Sequence, residues 1–280
     1  MTLAPGHAPS PALPASAGLA VRGLVKHFGG VHAVDGVSFD VSPGACVALI
    51  GPNGAGKSTC FACIAGQQPL TAGEVHWRGQ RIDRLPPPRR LALGVARTFQ
   101  VAQTFEALTV LQNVQLLMTA GRGLPAWNVL DAVAPLAARA LLARVGLAPL
   151  ADAEVLNLPY GAKKRLELAM ALAGLQIDAP PSAGTHATQA RLLLLDEPAA
   201  GLAGPERAEL MALVRSLARE GVTVLYTEHN MDAVFGVANR VLVLIDGKLA
   251  AEGTPDEVAR DPAVRSRYLG HAFDAEAARA

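Results

Sequence analysis

Runs of apolar residues divide the chain into two kinds of predicted strand. Period-2 alternation begins at Leu19 and is clearest over residues 37–41 and 74–78. Alternation of this kind is typical of strands with one buried face, and it predicts an antiparallel patch near the N-terminus. Later runs are apolar throughout and end in polar or glycine-rich turns: residues 46–50, 192–195, 222–226 and 241–245. They predict strands of a parallel sheet that is covered by helices on both faces.

Between residues 110 and 175 the apolar positions change to helical spacing. One helix face would carry Leu166, Ala169, Leu172 and Ala173. We therefore predict an α/β fold with a parallel core, a small antiparallel β region and a helical insert between them. By composition, residues 1–17 are a predicted disordered tail and residues 177–190 a predicted flexible loop.

Composition and charge narrow the possible functions. The 280 residues are 51% hydrophobic and 18% charged, which is enough for a large core. A net charge of +1 and an aromatic content of 4% argue against a nucleic-acid partner. No apolar run approaches the roughly 20 residues that span a bilayer, and the first residues do not resemble a signal peptide. The sequence thus predicts a cytoplasmic protein whose membrane contact is peripheral.

Three cysteines are too few for a disulfide framework. Cys60 and Cys63 form a C-x-x-C pair, but it lies in a predicted helix without a second pair or a nearby histidine. We interpret the cysteines, Cys46 included, as core residues rather than as a metal or redox site.

A glycine-rich segment carries the strongest chemical signal. The segment from Gly51 to Thr59 matches G-x-x-x-x-G-K-(S/T), follows an apolar run and precedes a helix-compatible stretch. Glycines let backbone N–H groups converge on phosphate oxygens, and the start of the helix adds its positive dipole end. Lys57 would lie between the β- and γ-phosphates, and the Ser58 hydroxyl would face Mg²⁺. This pattern predicts an ATP-type phosphate site.

Two carboxylates end the apolar run 192–195. Asp196 could hold Mg²⁺ directly or through water, and Glu197 could polarise the attacking water. Adjacent side chains at a strand end point in different directions, so the two acids can have different roles.

The order of further motifs resembles the ABC ATPases. The segment 157–165, Asn-Leu-Pro-Tyr-Gly-Ala-Lys-Lys-Arg, is similar to the L-S-G-G-Q signature and lies 31 residues before Asp196. Gln100 in Arg-Thr-Phe-Gln resembles the family's glutamine loop, and His229 in Thr-Glu-His resembles its switch histidine. Phe28 stands where the family places an aromatic ring against adenine.

The resemblance covers residues 19–270 and is closer to one branch. The stretches at 28–34, 94–100, 158–161 and 196–202, together with those at 252–255 and 261–270, resemble ATP-binding subunits of branched-chain amino-acid importers. The resemblance implies an ABC ATP-binding domain over 18–258, a P-loop NTPase fold with a helical subdomain at about 105–175, and a C-terminal extension over 259–280.

The resemblance also implies a set of site residues and partners. The implied catalytic residues are Glu197, His229, Gln100 and Lys57, and the implied Mg²⁺ ligands are Ser58, Gln100 and Asp196. The implied nucleotide contacts are Phe28, Gly51, Pro52, Asn53, Gly54, Ala55, Gly56, Lys57, Ser58, Thr59, Leu158, Pro159, Tyr160, Gly161 and Ala162. Two ATP-binding subunits would close head to tail on ATP, each signature facing the neighbour's γ-phosphate, and would move two membrane permease subunits served by an extracytoplasmic binding protein.

Three positions depart from the family pattern. Pro159 replaces a serine, Ala162 a Gln or Glu, and Ala203 an Asp or Asn. The insertion at 177–190 also exceeds the family norm. Alternative functions are transport of urea, amides or a lipid, and a soluble ABC ATPase acting on ribosomes or DNA. A soluble ATPase of that kind usually has two cassettes or a long coiled coil, and neither is visible here. A signalling P-loop GTPase would conflict with the signature and His229.

Overall fold

A computed structural model of the chain describes residues 18–120, 133–177 and 190–269. The strands are β1 (Leu19–Phe28), β2 (Val31–Val41), β3 (Cys46–Ile50), β4 (Ala72–Trp77), β5 (Gln80–Arg81), β6 (Val95–Arg97), β7 (Leu192–Asp196), β8 (Thr223–Thr227), β9 (Arg240–Ile245) and β10 (Lys248–Gly253). The α-helices are α1 (Lys57–Ala65), α2 (Pro87–Ala92), α3 (Val110–Ala120), α4 (Pro135–Arg144), α5 (Tyr160–Gly174), α6 (Gly204–Arg219), α7 (Met231–Phe235), α8 (Pro255–Arg260) and α9 (Pro262–Val264).

The larger of two sheets has six strands in the order β10-β9-β3-β8-β7-β6. All neighbours pair in parallel except β10, which is antiparallel to β9. Every residue of β3, β7 and β8 is buried, which explains their continuous apolar sequence. A second, antiparallel sheet has the order β2-β1-β4-β5. The predicted fold class is therefore confirmed.

The core has two layers, one on each face of the larger sheet. Alternate residues of β3 contribute to opposite layers: Ala48 packs with the helical region, and Val47 packs with the antiparallel sheet and α1. Helix α5 is buried on nearly all sides from Leu166 to Gly174, a wider surface than the one face that its sequence predicted. The reason is that α3, α4 and β6 all pack against it.

The sequence analysis did not predict the very short strand β6 or the edge strand β10. Strand β6 has three residues, too few to show a period, and β10 lies at the sheet edge with alternate residues exposed. Strand β8 begins at Thr223 rather than at residue 222. All three cysteines are free and buried, and burial raises the pKa of the Cys46 thiol to about 12 and that of Cys63 to about 11.

Three predicted segments fall wholly or mainly outside the described residues: the tail 1–17, the insertion 177–190 except its two ends, and residues 270–280 of the C-terminal extension. Among the helices that the structure describes, none has the length and apolar character needed to cross a bilayer.

Parallel pairing brings the predicted site residues to one edge of the larger sheet. Strands β3, β8, β7 and β6 are consecutive neighbours, so their carboxyl ends meet at one edge of the sheet. The glycine-rich loop, Glu197, His229 and Gln100 all follow these strand ends. Such an edge is where α/β proteins place their ligand sites.

Candidate active site

The glycine-rich loop connects β3 to α1 in a conformation that requires glycine. Gly51 and Gly56 have φ angles of 147° and 94°. A Cβ at Gly51 would lie 2.0 Å from the Leu244 carbonyl oxygen, and one at Gly56 would lie 2.1 Å from that of Ala33. The loop is therefore packed tightly between β9 and β2, and it presents the start of α1 to the cavity beside it.

Lys57 is folded back onto the loop. Its Nζ donates hydrogen bonds to the carbonyl oxygens of Gly51 (2.7 Å) and Pro52 (3.0 Å). Burial lowers the pKa of the ammonium, while the charges of Glu197 and Asp196 act in the opposite direction. A phosphate placed over the loop would meet a cation already held at the centre of the loop.

Asp196 lies at the end of β7, below the cavity surface. It is 3% exposed. Its Oδ1 accepts a hydrogen bond from Thr227 Oγ1 at 2.8 Å, and its Oδ2 accepts one from Arg97 at 2.6 Å. These two donors fix the position of the carboxylate at the sheet edge.

Unlike Asp196, which lies below the cavity surface, Glu197 lines the cavity, because the backbone turns at this residue. Its φ is 48°, in the left-handed region that non-glycine residues adopt at a cost of about 1 kcal/mol or more. Its N–H donates to Thr227 Oγ1 at 2.9 Å, which holds the turn in place. The prediction that the two neighbouring acids point in different directions agrees with this geometry.

Two polar side chains hold the Glu197 carboxylate. Gln100 Nε2 donates to Oε2 at 3.0 Å, and His229 Nε2 lies 2.7 Å from Oε1. Because an ionised carboxylate only accepts hydrogen bonds, His229 Nε2 carries the proton in this contact. The arrangement fixes the carboxylate between two donors at the cavity wall.

These groups line one cavity of about 570 Å³. Its walls are formed by Val31, His32, Ala33, the loop residues Asn53, Gly54, Ala55, Gly56, Lys57, Ser58 and Thr59, and Gln100, Glu197, His229, Asp246 and Gly247. The cavity thus joins the glycine-rich loop, the predicted phosphate loop, to the candidate base and its two partners. It has room for the phosphates of a nucleotide.

Other predicted site residues lie elsewhere. Phe28 is 47% exposed at the end of β1, and the neighbouring Val31 and His32 line the cavity in its place. The signature residues Leu158, Pro159, Tyr160, Gly161 and Ala162 surround the start of α5 and do not line this cavity. A Cβ at Gly201 would lie 2.9 Å from the Tyr160 ring, so the signature packs against the loop after β7.

The first turns of α5 hold the segment that carries Gln100. Lys164 Nζ donates to the carbonyl oxygens of Phe99 (3.0 Å) and Gln100 (2.6 Å). Glu167 Oε1 accepts the Phe99 N–H at 2.7 Å. Burial raises the pKa of Glu167 to about 7, and it lowers that of Lys164. The signature helix and the glutamine segment are therefore joined by partly buried hydrogen bonds, which the sequence analysis did not predict.

Sequence reasoning also missed the residues that orient the acids. Arg97, Thr227 and Glu228 are largely buried, and each touches a site residue or its loop. Glu228 accepts the N–H groups of Ala199 (2.9 Å) and His229 (3.2 Å), and burial raises its pKa. The only signal was their position inside the segments that contain Gln100 and His229.

Comparison with known proteins agrees with this geometry. Residues 34–176 match the family model described as "ABC transporter", and residues 248–274 match that of the "Branched-chain amino acid ATP-binding cassette transporter". The chain is 38% identical over 264 residues to the high-affinity branched-chain amino acid transport ATP-binding protein LivG of Salmonella typhimurium, covering 91% of this chain and 98% of LivG. It is 36% identical to the corresponding BraF of Pseudomonas aeruginosa, with the same coverage.

A solved structure shares the fold. The crystal structure of the ADP conformation of MJ1267, an ATP-binding cassette of an ABC transporter, superposes with a TM-score of 0.76. The identity is 29%, and the alignment covers 91% of this chain and 99% of that one.

Proposed function

Because the chain belongs to the family of ABC transporter ATP-binding proteins, we propose that it binds and hydrolyses ATP to power an importer of branched-chain or related amino acids. The observation that carries the proposal is the Glu197 carboxylate, held by Gln100 and His229 in the cavity that Lys57 and the phosphate loop also line. A phosphate cradle and a fixed general base in one cavity are the parts that phosphoryl transfer to water requires.

The reaction assigns a role to each side chain. On ATP binding, Lys57 exchanges its bonds to the Gly51 and Pro52 carbonyls for bonds to the β- and γ-phosphates. Glu197 accepts a proton from the attacking water as the new O–P bond forms and the bond to the β-phosphate breaks. The His229 Nε2–H turns from Glu197 to the developing negative charge, while Gln100 keeps the carboxylate aligned.

The oxygen donors at the cavity fit a magnesium ion. Ser58 offers a hydroxyl, Asp196 a carboxylate just below the surface, and Gln100 an amide oxygen, since its nitrogen faces Glu197. Hard oxygen ligands of this kind are those that Mg²⁺ prefers. When bound, Mg²⁺ neutralises charge on the β- and γ-phosphates. Thr227 and Arg97 hold the buried Asp196 carboxylate in place for that role.

A second copy of the chain completes the site. The N-terminus of α5, with Gly161 in its first turn, does not line the chain's own cavity, and Tyr160 is 43% exposed there. In a head-to-tail dimer this helix start faces the γ-phosphate of the neighbour's ATP. This contact lacks the polar side chains that the family pattern has at three positions, here Pro159, Ala162 and Ala203. It therefore depends on Gly161, the backbone and the helix dipole.

A groove beside the glutamine segment suits the membrane permease. It has a volume of about 400 Å³ and lies between α2 and β6 on one side and α3 and α5 on the other. Leu117 and Met170 line it, and so does Phe99, the neighbour of Gln100. A permease segment seated here contacts the segment that aligns the base, so closure of the dimer and movement of the permease are coupled. The working place of the protein is then the inner face of the cell membrane.

Replacement of Glu197 tests the proposed chemistry. Glu197→Gln keeps the shape of the side chain but removes the base, so we expect ATP affinity within a few-fold of the wild type. Turnover should fall at least 100-fold, and the ATP-bound dimer should accumulate. Binding of a fluorescent ATP analogue, phosphate release and light scattering measure the three quantities. Turnover within a few-fold of the wild type would refute the assignment of Glu197.

Two experiments test the transport assignment. Leu117→Glu should abolish co-purification with permease subunits from the native host, and Leu136→Glu, at a residue that is 84% exposed on α4, should not. A chain that captures no permease in either form contradicts the proposed partner. Loss of labelled leucine uptake in a strain lacking the chain, with urea and amide uptake unchanged, supports the substrate class, and the reverse pattern contradicts it.

A further inference from the structure

Two histidines face each other at the tip of the β1–β2 hairpin, outside the proposed catalytic machinery. His27 and His32 are cross-strand partners, and their rings stack with centroids 3.8 Å apart. His27 lies next to Phe28, and His32 lines the nucleotide cavity. The pair is therefore placed on the element that borders the nucleotide.

A β-bulge adds a carboxylate to this pair. His27 pairs with His32 and Lys26 with Val34, so one step along β1 matches two along β2, and Ala33 is the extra residue. The bulge shifts the alternation of β2 by one residue, which places Asp35 on the same face as the two histidines. The Ala33 carbonyl is in turn packed against Gly56 of the phosphate loop, and Asp35 N–H donates to Gly247 O at 2.8 Å. The backbone beneath the cluster is thus fixed on both sides.

The ligand atoms of the cluster converge. One atom from each of His27, His32 and Asp35 lies within 4.8 Å of the others. His27 Nε2 is buried and has no hydrogen-bond partner among the described residues. A buried imidazole nitrogen without a partner is costly, and a coordinated cation would satisfy it. Asp35 also meets Lys248 Nζ at 3.3 Å, but that ion pair is exposed and contributes little.

We propose that His27, His32 and Asp35 form a site for a transition-metal dication of the Zn²⁺ class, with water as the fourth ligand. Imidazole and carboxylate together suit Zn²⁺, Ni²⁺ or Cu²⁺ rather than Mg²⁺. Tetrahedral ligands at about 2.0–2.1 Å from a metal are about 3.3 Å apart, so the side chains must approach by about 1.5 Å or less and the rings must unstack. The His32 side chain is exposed and free to make this adjustment.

Metal binding would fix the conformation of the tip of the β1–β2 hairpin. The three ligands join β1 and β2 across the turn that carries Phe28, one residue from His27 and four from His32. Fixing this tip changes the wall of the nucleotide cavity, so metal and nucleotide change each other's affinity by the same factor. The metal site stands independently, whereas this coupling rests on the proposed function.

Cobalt titration of the full chain without a histidine tag tests the site. We expect one Co²⁺ per chain with a visible d–d spectrum, displaced by one equivalent of Zn²⁺. His32→Gln and Asp35→Asn, both at surface positions, should weaken the affinity at least tenfold, and His27→Ala should abolish it. His76→Gln on β4 is the matched control and should bind as the wild type does. Thermal unfolding in EDTA verifies that each variant is folded.

Several results would overturn the site. They are the absence of saturable binding by the folded wild type, unchanged binding by both surface variants, and a thiolate charge-transfer band that places the ion on Cys60 and Cys63. A chain preloaded with Zn²⁺ and freed of excess ion should differ at least threefold in its affinity for a fluorescent ATP analogue, and His32→Gln should remove the difference. Equal affinities would overturn the coupling while leaving the site, and failure to bind the analogue at all would overturn the proposed function instead.

Discussion

The buried carboxylate of Glu167 makes a prediction that can be worked from the structure. Glu167 is 5% exposed on α5, and burial raises its pKa from the ordinary 4.5 to about 7. The Phe99 N–H and the charges of Lys164 and Arg97 act in the opposite direction and offset burial only in part. At neutral pH the side chain is therefore close to half protonated in the folded protein.

The shift makes folding stability depend on pH. As pH rises from 4.5 to 7, the unfolded chain releases the proton while the folded chain retains it. The stability is therefore fully present below pH 4.5 and is lost as pH rises through 7. A rise of the pKa from 4.5 to about 7 corresponds to about 3 kcal/mol, of which about 2 kcal/mol falls between pH 5.5 and 8.5.

Glu167→Gln isolates this effect. The amide resembles the neutral acid and still accepts the Phe99 N–H, but it cannot ionise. The stability of the variant relative to that of the wild type should therefore rise by about 2 kcal/mol as the pH increases from 5.5 to 8.5. Urea unfolding of both proteins, followed by circular dichroism at several pH values, measures the difference, in which the titrating groups that do not interact with Glu167 cancel.

The matched control is Glu154→Gln, which removes an exposed carboxylate in the same region and should not give the gain in stability expected when the buried Glu167 is replaced. A flat difference for Glu167→Gln, or a variant less stable than the wild type at every pH, would show that Glu167 is charged in the folded state and paired with Lys164. Either result would refute the argument from burial.

Three other substitutions probe the site. Gly56→Ala should lower stability by about 1–3 kcal/mol and abolish nucleotide binding, because its Cβ would clash with the Ala33 carbonyl; calorimetry and nucleotide titration measure both, and wild-type binding would contradict it. Thr227→Val should lower turnover roughly 10- to 100-fold with little effect on nucleotide affinity, because both acids lose a hydrogen bond; steady-state phosphate release measures this, and a few-fold change would count against it. Gly161→Asp should prevent ATP-dependent dimerisation in the Glu197→Gln background, because a carboxylate would repel the γ-phosphate; light scattering that shows a full dimer would remove Gly161 from the contact.

The sequence by itself determined the parts that are local. The phosphate loop depends on glycines and Lys57 within one short segment, so it could be identified without knowledge of the fold. Strands β3 and β7 were predicted because burial on both faces leaves only apolar residues. The functional order of Lys57, Gln100, the signature, the acid pair and His229 also lies in the sequence itself.

Only the tertiary structure decided how distant segments support one another. Arg97 contacts Asp196, 99 residues away, and Thr227 bridges both acids, because β6, β7 and β8 are neighbours in the sheet. The hydrogen bonds between α5 and the segment that carries Gln100 depend on how that helix packs. The convergence of Asp35 with the two histidines depends on a bulge that shifts the alternation of β2 by one residue. Strand order, helix packing and register follow from contacts across the whole core, and no local pattern of residues encodes them.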